Sequence, residues 1–158
     1  MDTALTRRSL LTGLVAGVAA IAGGSRLFGA QQKPSMTVYK DASCGCCQHW
    51  VNYMQTKGYR SAVHNVDLAP IKAQYGINAN LESCHTTLVA GYIIEGHVPE
   101  VDIARLLKEK PAGVAGLTIP GMPASAPGMD GRPFQPYTVL AFDKAGKTTV
   151  YARHTAPE

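Results

Sequence analysis

The stretch Met36-Thr37-Val38-Tyr39-Lys40-Asp41-Ala42-Ser43-Cys44-Gly45-Cys46-Cys47 decides how this chain is read. Its first five residues form a short β-branched and aromatic run, which predicts a strand. Asp41-Ala42-Ser43 supplies turn chemistry and a candidate helix N-cap. From Cys46 to Lys57 the period becomes helical: Trp50, Val51 and Met54 fall at i, i+1 and i+4, and Tyr53 adds to that face. Gly58 stops the helix. Three cysteines therefore stand where a strand gives way to a helix.

Downstream, Arg60 to Asp67 reads as a second strand around Val63 and Val66, and Leu68 to Tyr75 as a short helix closed by Gly76. Thr86 to Val89 and Tyr92 to Glu95 read as two strands about the turn at Ala90-Gly91. Pro99 opens a helix through Lys110, with Val101, Ala104 and Leu107, joined by Ile103 and Leu106, as its buried face. Between Pro111 and Pro136 lie six prolines and five glycines, and no regular element is expected there. Tyr137 to Asp143 and Lys147 to Arg153 then read as a β-hairpin around Lys144-Ala145-Gly146. The expected fold is α/β: a sheet domain over residues 31–110, then a Pro/Gly/Met-rich C-terminal extension over 111–158 that ends in the hairpin.

The chain has 158 residues, 46% hydrophobic and 16% charged, which fits one domain and excludes wholesale disorder. From Gln31 onward, 12 Lys and Arg stand against 10 Asp and Glu. That weak balance, with no dense basic patch and no phosphate-binding Gly loop, argues against nucleic acid as a partner. Residues 1–30 read as a targeting segment. Thr6-Arg7-Arg8-Ser9-Leu10-Leu11 resembles a twin-arginine export motif, and an uncharged apolar run extends from Leu10 to Ala22. The run is too short for a confident membrane span, so no stable span is expected in the mature protein. Ala20-Ile21-Ala22 and the bond after Ala30 are both candidate cleavage sites. The expected location is the periplasm, where thiols meet an oxidising environment.

Four cysteines are too few for a disulfide scaffold, and three of them fall within Cys44-Gly45-Cys46-Cys47. Cys44 and Cys47 make a C-x-x-C between strand and helix, the placement of a thioredoxin-like redox motif. There the unpaired N–H groups and dipole of the helix N-terminus favour a thiolate, which is both the nucleophile of disulfide exchange and the form that binds metal. A two-thiol redox site has no need of Cys46, whereas adjacent sulfurs suit a soft ion such as Cu(I). Ser83-Cys84-His85-Thr86 precedes the third strand. In a thioredoxin-like fold that turn faces the C-x-x-C, so it adds a fourth sulfur and a candidate imidazole; His85 stands about where such folds carry a cis-proline. His85 also fits as a hydrogen-bonded turn residue. Pro-Gly-Met occurs at 120–122 and again at 127–129, and the soft thioethers of Met122 and Met129 are candidate Cu(I) ligands or packing residues. His97, in Glu95-Gly96-His97-Val98-Pro99, is a candidate ligand or a partner of Glu95. His49 either tunes the thiolates or faces solvent, and His64 and His154 read as surface residues.

These motifs, in this order and with Trp50 and Gly91-Tyr92, resemble those of the CopG family of periplasmic bacterial copper-resistance proteins, a thioredoxin-like group marked by a CxCC motif. The resemblance runs from about Met36 to His154. It implies a cysteine-bridged copper site holding several ions, ligated by Cys44, Cys46, Cys47 and Cys84 with Met and His support. It also implies interconversion of Cu(I) and Cu(II) in copper detoxification, with Cys44 and Cys47 as redox-active residues of a copper oxidoreductase. Copper ions, and a periplasmic copper efflux system, are the partners expected on this reading.

Three rivals remain open on the sequence. A metal-free thiol–disulfide oxidoreductase would use Cys44 and Cys47, but it leaves the surplus sulfurs unexplained. A passive copper carrier needs the same soft, accessible ligands. A structural zinc site would need wider cysteine spacing than Cys46-Cys47 offers.

Overall fold

The computed structural model describes residues 32–129 and 131–157. The export segment expected at residues 1–30 lies outside the described residues. The elements run β1 (Met36–Lys40), α1 (Gly45–Thr56), β2 (Ser61–Asn65), α2 (Leu68–Gln74), β3 (His85–Val89), β4 (Tyr92–Glu95), α3 (Glu100–Glu109), β5 (Gly116–Thr118), β6 (Tyr137–Phe142) and β7 (Thr148–His154).

The described strands form one seven-stranded mixed sheet in the order β2-β1-β3-β4-β5-β6-β7. β1 pairs parallel with β2, and β4 parallel with β5. The remaining neighbours are antiparallel, including β6 with β7. One register matters most for function: Lys40, the last residue of β1, lies opposite His85, the first residue of β3. That pairing brings the segment leaving β1, which carries the CxCC, beside the segment entering β3, which carries Cys84.

Alternation along the strands divides the apolar residues between two faces. Ile94 belongs to the main core with Trp50, Val51 and Met54 of α1 and Ile103 and Leu106 of α3. Its neighbour Ile93 packs on a smaller cluster of Ile77 and Leu81, from the segment after α2, and Phe142 of β6. α1 buries Cys47, Trp50, Val51 and Met54, a stripe at helical spacing. Full burial of a side chain such as Met54 contributes about 1.5–3 kcal/mol. Trp50 satisfies its indole by donating to Val98 O at 3.0 Å. α2 is capped by Asp67, whose carboxylate accepts from Ala69 N at 3.0 Å. Cys44, not Ser43, is the N-cap of α1; Ser43 instead closes the turn by donating to the Asp41 carboxylate.

Two expectations need correction. The buried stripe of α3 is Asp102, Ile103 and Leu106, and Val101 is 52% exposed. The helix is rolled because it also buries a carboxylate: Asp102 meets His154 of β7 at 2.7 Å and Arg105 at 3.6 Å. His154 is accordingly not a free surface residue; it is also stacked on Tyr137. Second, the Pro/Gly-rich region does contain a strand. β5 is only three residues long, too short for a period to show, yet all three are buried. Among the described residues no helix is long and apolar enough to cross a membrane.

Candidate metal centre

The chain reverses at Asp41, where Cys44 N donates to Asp41 O at 3.1 Å, and α1 begins at once. Cys44 and Cys47, one helical turn apart, are joined as a disulfide with Cα atoms 5.4 Å apart. Cys46 and Cys84 are free thiols. Cys46 Sγ lies 3.6 Å from Cys44 Sγ, and Cys47 Sγ lies 3.5 Å from Cys84 O. All four sulfurs fall within 4.8 Å of one another. The sequence-adjacent trio and the distant Cys84 are therefore one cluster. Burial, helped by the neighbouring Cys46, pushes the Cys84 thiol up to about 12. A metal bound there must displace a proton.

A second ligand set overlaps the first. Cys47, Cys84, His85 and His97 also offer atoms within 4.8 Å of one another. His85 is fully buried, with Nδ1 3.5 Å from Cys84 Sγ. His97 Nδ1 lies 2.7 Å from Pro127 O. A carbonyl only accepts, so Nδ1 carries the hydrogen and Nε2 keeps its lone pair. The Nε2 atoms of both histidines are buried without a hydrogen-bond partner. Burial holds both imidazoles below the ordinary histidine range, most strongly at His85, where His97, Lys72 and Lys40 add to the effect. Two buried neutral imidazoles with a free nitrogen suit metal ligation. The rings pack in series, Trp50 to His85 at 4.6 Å and His85 to His97 at 5.0 Å.

His97 does not pair with Glu95, the alternative the sequence left open. Glu95 is fully buried and is held by Lys72, by Ser83 N at 2.8 Å and by Thr86 Oγ1 at 2.6 Å. Its burial raises its pKa against the opposing pull of Lys72 and Thr86. Lys72 belongs to no local motif, and its role is not legible in the sequence. The one available signal was a carboxylate ending the apolar run Tyr92-Ile93-Ile94.

The two Pro-Gly-Met segments behave differently. The first is tied to the Cys84 turn, since Ser83 Oγ donates to Gly121 O at 2.6 Å and Gly121 N donates to Glu82 O at 3.1 Å. Met122 itself is 59% exposed. The second lies on α1. Gly128 has φ +82°, and a Cβ there would stand 2.7 Å from Trp50 N, so only glycine lets the loop approach this closely. Met129 packs against the main core. His49 is exposed at the start of α1, and His64 is an exposed residue stacked on Tyr39. The cysteines, His85 and His97 are thus brought together; the methionines flank them on separate loops.

Comparison with known proteins follows the same lines. A family model described as "Protein of unknown function, DUF411" matches residues 81–129, which include the Cys84 turn and both Pro-Gly-Met segments. A search of curated proteins finds no match. Among solved structures, "Copper resistance protein copG- Form 1" is similar at 32% identity and a TM-score of 0.72, covering 78% of this chain and 99% of that one. "Copper resistance protein copG- Form 2" is similar at 33% identity and the same TM-score, 0.72, covering 77% of this chain and 98% of that one.

Proposed function

The chain belongs to the CopG family of copper-resistance proteins, and from that premise we propose that it binds copper at the sulfur cluster and interconverts Cu(I) and Cu(II) in the periplasm. The observation that carries the reading is the donor set: four sulfurs within 4.8 Å, overlapping a set with two buried imidazoles. Thiolates favour Cu(I), while imidazole also accepts Cu(II). Sulfurs this numerous and close favour bridging, and hence more than one ion per chain. Met129 and Met122 would add soft ligands from the flanking loops.

The redox step balances within the protein. Two Cu(II) ions take one electron each from the thiolates of Cys44 and Cys47, giving two Cu(I) ions and the Cys44–Cys47 disulfide. The reverse direction consumes the disulfide. The α1 N-terminus favours the thiolate form needed for this exchange. The order β2-β1-β3-β4, with the C-x-x-C between β1 and α1, supports a thioredoxin-like reading of residues 31–110, extended by 111–158. The twin-arginine motif supports export to the periplasm, where an efflux system would receive the copper.

The disulfide also suits a metal-free thiol–disulfide oxidoreductase, so one experiment must separate the readings. The reduced protein is titrated anaerobically with Cu(II), then bound copper, its oxidation state and free thiols are counted. The proposed function gives up to two Cu(I) ions per chain from the Cys44–Cys47 pair, with the loss of one thiol for each Cu(II) reduced. A passive carrier keeps every thiol after the copper is stripped. Failure to bind copper at all sinks the copper reading and leaves the thiol oxidoreductase.

A further inference from the structure

The Lys72–Glu95 pair has a position that stability alone does not explain. Both side chains are buried, Lys72 at the end of α2 and Glu95 at the end of β4. Lys72 also approaches the exposed Glu82 at 4.0 Å. A buried ion pair is a weak source of stability, because desolvation offsets its attraction, and apolar replacements of both partners are often neutral. What the pair does uniquely is grip the backbone around Cys84 and His85. Ser83, just before Cys84, is held at both backbone polar groups: its N–H donates to Glu95 Oε1 at 2.8 Å and its carbonyl accepts from Lys72 Nζ at 2.7 Å. Thr86, just after His85, donates to the other Glu95 oxygen at 2.6 Å. Between them, His85 O accepts from Gly96 N at 2.8 Å. At Gly96, φ is +75° and a Cβ would stand 2.2 Å from Ser83 Oγ, so the turn is also confined sterically.

We propose that Lys72 and Glu95 are positioning residues that clamp the Ser83–Thr86 turn from behind, holding Cys84 and His85 against the Cys44–Cys47 turn without touching the copper. The proposal deepens the copper-binding reading and rests on Cys84 and His85 being ligands. Partners that orient ligands in this way matter because a metal site tolerates little looseness in its donors.

The test uses Glu95→Gln and the double variant Lys72→Met with Glu95→Gln, which leaves no buried charge unpaired. Two quantities are measured on the full chain. One is the alkylation rate of Cys84 in the metal-free, disulfide-bonded protein, followed by mass spectrometry. The other is Cu(I) affinity and the thiolate-to-copper absorption spectrum of the reduced protein, by competition with a chromophoric chelator. The clamp predicts a far-UV circular dichroism spectrum like the wild type, faster Cys84 alkylation, a shifted absorption band and a loss of about 10–100-fold in Cu(I) affinity. Glu100→Gln removes the Lys33–Glu100 ion pair, away from this turn, and is the control: it should change neither quantity. If the charge variants do not fold, Thr86→Val, which removes one hydrogen bond and no charge, must move both quantities in the same direction. Unchanged alkylation and unchanged copper spectra in the folded variants overturn the clamp. A wild-type protein that takes up no copper overturns the copper reading instead, and the alkylation ratio still decides whether the pair positions Cys84.

Discussion

Raising the pH of the metal-free protein should leave Cys84 un-ionised long after an ordinary cysteine has titrated. Burial disfavours the thiolate, so the Cys84 pKa moves up from 9.0 to about 12, with the nearby Cys46 contributing in the same direction. At pH 9 an unperturbed thiol of that reference value is half ionised, whereas Cys84 is ionised in about one molecule per thousand, a deficit of about 500-fold. The assay is iodoacetamide labelling without reductant, so the Cys44–Cys47 disulfide stays closed and Cys46 and Cys84 are the free thiols. Absolute rates mix access with ionisation, but the shape of the pH profile reports ionisation alone. The Cys84 rate should rise about tenfold per pH unit from pH 7 to 10 with no plateau. Cys46→Ser removes the secondary cause and should shift the profile to lower pH without restoring an ordinary value, because burial is the larger cause. A plateau near pH 9 in the wild type would refute the argument. The same proton has a consequence for copper. Each thiolate formed from such a thiol on binding releases one proton, so apparent affinity should rise about tenfold per pH unit per proton below that range.

The other predictions concern ligands and core. Cys46→Ser should sharply lower the copper bound per chain while leaving the circular dichroism unchanged; a metal-free disulfide enzyme would instead keep its activity in Cys46→Ser and lose it in Cys44→Ser. Replacing Met122 and Met129 together by Leu should weaken Cu(I) binding and alter its spectrum, and an unchanged spectrum would remove both loops from the site. Ile103→Ala should cost about 2–5 kcal/mol in denaturant unfolding, whereas Val101→Ala, on the exposed side of α3, should stay within about 0.5 kcal/mol.

How much of this was legible in the sequence follows from the range of the interactions involved. α1 was readable because Trp50, Val51 and Met54 fall on one stripe, and β3 with β4 because β-branched runs flank a two-residue turn. The face of α3 was misread because it buries Asp102, whose partner His154 lies 52 residues away and cannot be seen from local hydrophobicity. β5 was missed because three residues within a Pro/Gly-rich stretch carry no period. The site divides the same way. Cys44, Cys46 and Cys47 announce themselves as a local motif, and the placement of Cys84 followed from fold analogy. The grip of Lys72 on Glu95 spans 23 residues, so it emerges only when β3 pairs with β4, with Thr86 opposite Glu95, and α2 packs beside them.

The two overlapping ligand sets have a consequence for how such a centre would work. Cys47 and Cys84 belong to both, so the sulfur-only set and the mixed sulfur–imidazole set cannot be filled independently. Closing the Cys44–Cys47 disulfide withdraws Cys47 from both sets, along with Cys44 from the first. What remains is Cys46, Cys84 and the two buried imidazoles, a harder donor set with half the thiolate charge. On the proposed function, oxidation of the protein and loss of preference for Cu(I) are therefore a single event: the electrons that make Cu(I) come from the ligands that hold it best. Two outcomes follow from that proposal. Reduced protein would retain Cu(I), and protein oxidised by its own copper would hold the resulting Cu(I) less well and release it to an acceptor. A passive carrier has no use for this coupling, since it needs constant ligands. On the proposed function, a C-x-x-C inside the sulfur cluster, with all four sulfurs within 4.8 Å of one another, is the arrangement expected where capacity and oxidation state are meant to change together.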